Sequence, residues 1–267
     1  QVKITGKWGI SQARTRLGYG PLKELHDEMV KPIAGRETKG AWYRKWRLIT
    51  LDGSTMETAD NQENEEAFGR QEVKRGNSAY PQLRFVCLVE NGTHVLFGAE
   101  IADYHTGEIT LAKVVMPRLE PGMLCLADRN FFGHDLWLQA QETKADLLWR
   151  IRKNIVLPCV QRLPDGSYLS RILPRKDRHR ASKGIMVRVI EYRLRGVPQS
   201  QEVYRLLTTI LNHEEAPALE LAALYHERWE IETALDELKT HLKGPRIQLR
   251  SKTPDLVRQE FYGLMMT

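Results

Sequence analysis

The chain has 267 residues, 42% of them hydrophobic and 28% charged, so it can bury a full-sized core and is not a wholly disordered polymer. Lys+Arg 40 against Asp+Glu 34 gives +6, a balance that favours a polyanionic partner without demanding one. Three widely separated cysteines, Cys87, Cys125 and Cys159, argue against a disulfide framework or a zinc site and for reduced thiols in the cytosol. No apolar run reaches membrane-spanning length, which argues against a membrane partner.

The first residues, QVKITGKWGI, lack both Met and the apolar stretch of a signal peptide, and the last run, Phe261 to Met266, is apolar. Both ends read as cuts in a longer chain. Residues 11–31 keep a rough helical period in Leu17, Leu22, Leu25, Met29 and Val30, with a break at Gly20-Pro21, and predict the helical tail of an N-terminal region over residues 1–40. Aromatic and β-branched residues predict a strand from Trp42 to Leu51, ended by a turn at Asp52-Gly53, then a polar stretch to about Asn77. Two apolar runs, Leu83 to Val89 and His94 to Ile101, flank Glu90-Asn91-Gly92-Thr93 and predict a hairpin. Met123 to Ala127 is a short buried-type strand ending at Asp128, His134 to Lys144 a helix, and Leu147 to Ile151 another strand.

Residues 152–203 have a different texture. Ile155 to Val160, Tyr168 to Leu173 and Ile185 to Arg195 predict short strands between Pro-Asp-Gly and Pro-Arg-Lys-Asp turns. Arg171, Arg175, Lys176, Arg178, Arg180, Lys183, Arg188, Arg193 and Arg195 crowd this stretch, opposed only by Asp177 and Glu191. It reads as a β-rich insertion with a phosphate-binding surface, or else as a solvated charged loop. The flanking segments, 41–151 and 204–267, would be two parts of one core. Ala216 to Leu242 predicts a long helix ended by Gly244-Pro245. On it, Tyr225, Arg228, Glu232 and Lys239 fall within an arc of roughly 60° at about 100° per residue, beside an apolar stripe of Leu224, Ile231, Leu235, Leu238 and Leu242.

That Y-x2-R-x3-E-x6-K pattern resembles the signature of the insertion sequence 4 family of DDE transposases. Ordinary composition yields these four residue types at these spacings in only roughly a few chains per thousand. LDGSTMETADNQENEEAFG resembles the family's first-Asp block, with Asp60, Asn64 and Phe68-Gly69 following Asp52 at similar intervals. LADRNF resembles its second-Asp block, and the likeness runs from about residue 10 to residue 267.

The resemblance implies an α/β fold: a ribonuclease-H-like mixed sheet flanked by helices, with the β-rich insertion between the second Asp and the helix bearing the catalytic Glu. It implies that Asp52, Asp128 and Glu232 hold two Mg²⁺ ions, with Mn²⁺ as a substitute, because such ions take carboxylate oxygens while keeping water and phosphate ligands. It also implies cut-and-paste cleavage and strand transfer through a hairpin intermediate, acting on double-stranded DNA at transposon ends and target. The expected assembly is a homodimer on DNA in a bacterial cytoplasm, associated with the nucleoid. Tyr225, Arg228 and Lys239 would clamp phosphates, joined by Arg175, Lys176, Arg178 and Arg180, while Tyr204 would stack an unpaired base. Each residue also has a plainer role available. Asp52 fits a turn, Asp128 a helix N-cap, Arg228 with Glu232 a surface pair, and Tyr204 a core strand. At the level of the whole chain, another nuclease of the same fold and an inactive DNA-binding remnant stay open; intact carboxylates argue against the second.

Overall fold

A computed structural model describes residues 6–73, 76–174, 184–193, 203–228 and 248–267. The chain opens with two helices, α1 (Lys7–Leu17) and α2 (Gly20–Met29). Gly18, at φ 69°, ends the first, and Pro21 sits in the first turn of the second, where its missing N–H costs nothing. After α2, the wholly buried Glu90 accepts hydrogen bonds from the backbone N–H groups of Ile33 at 2.9 Å and Ala34 at 3.0 Å, and pairs with Arg47.

Next come β1 (Trp42–Tyr43) and β2 (Trp46–Thr58). β2 runs straight through Asp52-Gly53, so the expected turn is not there. The reason is unbroken pairing along one edge: β5 (Gln82–Glu90) lies antiparallel from Ile49 to Glu57, with Asp52 opposite Cys87 and Gly53 opposite Val86. A Cβ on Gly53 would lie 3.1 Å from both Phe85 O and Val86 Cγ2. Gly53 therefore serves close approach of neighbouring strands, not a turn.

The polar stretch folds as α3 (Gln62–Phe68), capped by Asn61, whose Oδ1 accepts from Asn64 N at 2.9 Å, and as a small hairpin of β3 (Glu72–Val73) and β4 (Gly76–Asn77). The expected hairpin of β5 and β6 (Leu96–Asp103) forms, turning at Gly92 with φ 82°. Then follow α4 (Glu108–Val115), β7 (Met123–Ala127), α5 (His134–Glu142) and β8 (Asp146–Arg150). The basic segment supplies β9 (Gln161–Arg162), β10 (Tyr168–Ile172) and β11 (Ile185–Arg193), and β12 (Val203–Thr208) begins at its last residue. Ile155 to Val160, expected as a strand, is irregular: Val156 and Val160 point to solvent, and the segment meets β10 only at its end, where Val160 N donates to Leu169 O at 2.8 Å.

The long helix expected from Ala216 begins at Ala218. As α6 (Ala218–Glu227) it ends at Arg228, whose N–H bonds Tyr225 O at 3.3 Å in a tightened last turn. The rest of that run, to Leu242, lies outside the described residues. β13 (Gln248–Leu249) and α7 (Pro254–Met265) complete the chain.

The main sheet has the order β6-β5-β2-β7-β8-β12-β11-β10-β9, with β13 parallel to the far end of β2. β6, β5 and β2 are antiparallel, β2, β7 and β8 parallel. This is the ribonuclease-H-like mixed sheet that the motifs imply. The strands of the basic segment extend the same sheet, because β12 pairs with β8.

Strand alternation then divides the core between two faces. On one, Ile49, Leu51, Val86, Leu88, Cys125, Ala127, Leu147 and Trp149 pack beneath α4 and α5, with Trp137 and Trp149 edge to face at 5.2 Å. On the other, Leu48, Leu124, Leu126, Leu148 and Leu206 pack with α6, and Met56, Phe85 and Cys87 pack with α7. All five residues of β7 are buried, as a strand covered on both sides must be.

His26, wholly buried on α2, places Nε2 3.3 Å from Leu96 O and its ring 5.6 Å from Tyr262. Burial lowers its pKa, and the hydrogen bond it can donate to the Asp27 carboxylate only partly opposes this. The unfolded chain thus binds a proton more readily than the folded one. The resulting stability is fully present above about pH 6.5 and is lost as pH falls toward the depressed folded value. Denaturant midpoints should hold level above that pH and decline below it, and His26→Gln should remove part of the decline. An unchanged slope in that variant would show that His26 does not carry it.

Candidate active site

The ladder between β2 and β7 ends at Leu51 opposite Ala127, and that between β7 and β8 at Ala127 opposite Trp149. One position further on, Asp52, Asp128 and Arg150 stand abreast on three adjacent parallel strands, about 4.8 Å apart from strand to strand. Alternation puts them on the face shared by α6 and α7. Asp52 is thus a mid-strand residue, not a turn residue, and its carboxylate accepts from Gly53 N at 2.8 Å.

α6 reaches this row from above. Leu221, Leu224 and Tyr225 bury the helix against Leu124, Leu126 and Leu206. Its last turn brings Tyr225 Oη to donate to Ala127 O at 3.2 Å, the carbonyl just before Asp128. Arg228, only 6% exposed, brings Nη1 to 3.6 Å from Asp52 Oδ2. Burial raises the pKa of Tyr225; Arg228 opposes and Asp128 adds to the rise, so the phenol stays a donor at neutral pH. Of the expected stripe, Arg228 thus approaches the Asp52 carboxylate, and Tyr225 bonds the backbone carbonyl that precedes Asp128. The other two, Glu232 and Lys239, lie outside the described residues, as do Arg175, Lys176, Arg178 and Arg180.

Tyr204 lies on β12, half-buried. Its ring stacks on Tyr192 at 5.4 Å and 23°, lies 6.1 Å from His226, and carries the Arg150 guanidinium 4.4 Å from its centroid. It is both a packed strand aromatic and a neighbour of the carboxylate row. Arg150 was not singled out from the sequence. Its only signal there is a cation closing the apolar run Leu147-Leu148-Trp149, which many strands share. Just beyond β7 and β8, Arg129, Asn130, Arg152, Lys153 and Asn154 line an open cavity of about 460 Å³, giving the rim a basic character.

The donor set suits a hard divalent cation. Asp52 and Asp128 offer carboxylate oxygens on neighbouring strands, the hard donors such an ion prefers. Among the described residues no three His, Cys, Asp or Glu side chains converge, so a third acidic ligand would have to come from outside them.

Comparison with known proteins agrees with this geometry. A family profile described as "Transposase DDE domain" matches residues 44–267. The transposase InsG for insertion sequence element IS4 of Escherichia coli (strain K12) is 28% identical over 260 residues, which cover 96% of this chain and 58% of that protein. The putative transposase InsZ of the same strain is 28% identical over 165 residues, covering 60% of this chain and 54% of that one. The chain thus spans somewhat over half the length of these curated relatives. A cryo-EM structure of the piggyBac transposase synaptic complex with hairpin DNA aligns with a TM-score of 0.45 at 11% identity, covering 81% of this chain and 46% of that one, too slight a similarity to rest anything on.

The Tyr225 hydroxyl is buried and holds the strand end that carries Asp128. Tyr225→Phe should lower stability by about 1 kcal/mol, the usual net value of one buried hydrogen bond, read as a shift in the urea midpoint at constant slope. A neutral substitution would mean that α6 is not fastened to β7 through this bond.

Proposed function

The chain belongs to the transposase DDE domain family, and on that premise we propose that it is the catalytic part of a cut-and-paste DNA transposase. In this reading it cleaves phosphodiester bonds at transposon ends, through a hairpin intermediate, and joins the ends to target DNA. The observation that supports the reading is the parallel register of β2 and β7, which sets Asp52 across from Asp128, with Arg228 of α6 reaching Asp52 and Tyr225 bonded to the carbonyl before Asp128.

Asp52, Asp128 and Glu232 are the residues that would hold two Mg²⁺, or Mn²⁺ in their place. When bound, such a pair activates the attacking oxygen and offsets charge on the leaving one. The chain's own residues do the rest. Arg228 relieves repulsion between the paired carboxylates and offers a guanidinium fork to a phosphate, and Lys239 adds a donor on the same stripe; Tyr225, expected to clamp a phosphate too, instead has its one O–H committed to Ala127 O. Tyr204, packed between Tyr192 and Arg150, would exchange one of these contacts for a base unstacked beside the cut, a contribution of roughly 1–3 kcal/mol per base. Arg175, Lys176, Arg178 and Arg180 of the segment 152–203 bind phosphates further along the duplex. Residues 41–151 and 204–267 then form the core around that insertion, and two copies assemble on DNA in the nucleoid-bearing cytoplasm of a bacterium.

Asp52→Asn, Asp128→Asn and Glu232→Gln should each abolish Mg²⁺-dependent cleavage of end DNA while leaving its binding in Ca²⁺ largely intact, since ligand charge is lost but the basic surface remains. Turnover near wild type in any of the three would remove that residue from the site. For the clamp, Arg228→Ala and Lys239→Ala should weaken end binding and each flatten the dependence of log affinity on log salt by about one phosphate contact. Wild-type affinity with an unchanged salt slope would withdraw the clamp role.

A further inference from the structure

We propose that Asp165 and Arg188, outside the catalytic row, are positioning residues that set where α6 sits, and through it where Tyr225 and Arg228 meet the carboxylates. This rests on the proposed function. α6 starts behind Pro217, whose side chain offers no acceptor to the first turn. The cap comes instead from a turn between β9 and β10, 53 residues earlier: Asp165 Oδ2 accepts from Ala218 N at 2.9 Å. That turn is itself fixed. Leu163 N bonds Ser167 O at 2.9 Å, Gly166 takes φ 85°, and Asp165 Oδ1 accepts from Ser167 Oγ at 2.5 Å.

Arg188 joins the parts. It is wholly buried on β11; Nε donates to Ser167 Oγ at 2.8 Å, Nη2 pairs with Asp165 Oδ2, and Nη1 donates to Ala216 O at 2.7 Å in the loop leading into α6. Burial alone would push the Asp165 pKa up, yet the Ser167 and Ala218 hydrogen bonds and the charge of Arg188 bring it below the usual carboxylate range. The pair therefore stays ionised at neutral pH. A buried guanidinium is a costly way to fill space, and suits a geometry in which every donor has one direction.

The lever is α6 itself, about 15 Å from Ala218 to Arg228. Its apolar face allows sliding among leucines, whereas a charged cap at one end does not. A second set of contacts at the first turn, Glu220 with Arg44 at 2.9 Å and with Tyr43 Oη at 2.7 Å, is exposed and screened by solvent. Pairs of that kind hold position weakly. The β-rich segment is thereby coupled to the active site through one turn and one side chain.

The test uses the full chain with duplex end DNA and Mg²⁺. Asp165→Ala should lower kcat between about tenfold and 100-fold with little change in KM, as displacement of a catalytic helix does. Asp165→Asn keeps an acceptor for Ala218 N and should fall between that and wild type; it also serves if the alanine variant does not fold. Glu220→Gln should be close to wild type. Combined with Arg228→Ala, Asp165→Ala should cost clearly less than the product of the two single effects, because an arginine already out of place has little left to lose. Amide exchange should rise in Asp165→Ala at Tyr225 and Arg228 as well as in the first turn. Multiplicative effects, unchanged kcat, or exchange confined to the first turn would each overturn the role. A wild-type protein that never cleaves DNA would instead overturn the proposed function, and the exchange result would still decide whether Asp165 places α6.

Discussion

The parallel register of β2 with β7 is the constraint on which the rest of the site depends. Because Leu51 lies opposite Ala127, the next position on each strand is an aspartate, and both project to the same face. A slip of one residue on either strand would turn one carboxylate toward α4 and α5 and bury it among Leu51, Val86 and Ala127. That register is held by burial on both sides: the five residues of β7 alternate between two apolar layers, and an apolar side chain on the wrong face would lose its layer.

Two carboxylates brought together in this way repel each other, and the fold meets this with cations from two directions. Arg228 approaches Asp52 from the last turn of α6, and Arg150 continues the row on β8 beside Asp128. Arg150 is in turn braced against Tyr204, on the strand that follows the basic segment. The side chains that shape the electrostatics of the row thus come from three distant stretches of sequence. Their common support is the continuous sheet through β8 and β12, pinned below by Asp146, which accepts from Trp46 Nε1 at 2.6 Å and Thr209 Oγ1 at 2.8 Å.

Much of this was legible in the residues. The hairpin at Glu90 to Thr93, the buried strand Met123–Ala127 and the helix from His134 follow from alternation and turn chemistry, signals confined to a few neighbouring positions. The Asp52 block misled: Asp-Gly signals a turn only where the chain is free to reverse, and here β5 pairs with the strand through both residues and on to Glu57. Ile155 to Val160 misled in the opposite sense, being rich in β-branched residues yet meeting β10 only at Val160. Arg150 and the cap from Asp165 were silent because each acts on a partner dozens of residues away.

The sequence by itself determined the chemical types and their order: two aspartates at apolar strands, a helix bearing Tyr225 and Arg228, and a basic β-rich segment between them. Those choices rest on local side-chain character and spacing, which a chain carries whether folded or not. Only the tertiary structure decided that Asp52 and Asp128 stand abreast, that Arg228 lies over the first and Tyr225 behind the second, and that α6 takes its cap from the distant Asp165. These are properties of strand register and helix placement, set by packing among residues far apart in sequence, and no spacing along the chain encodes them.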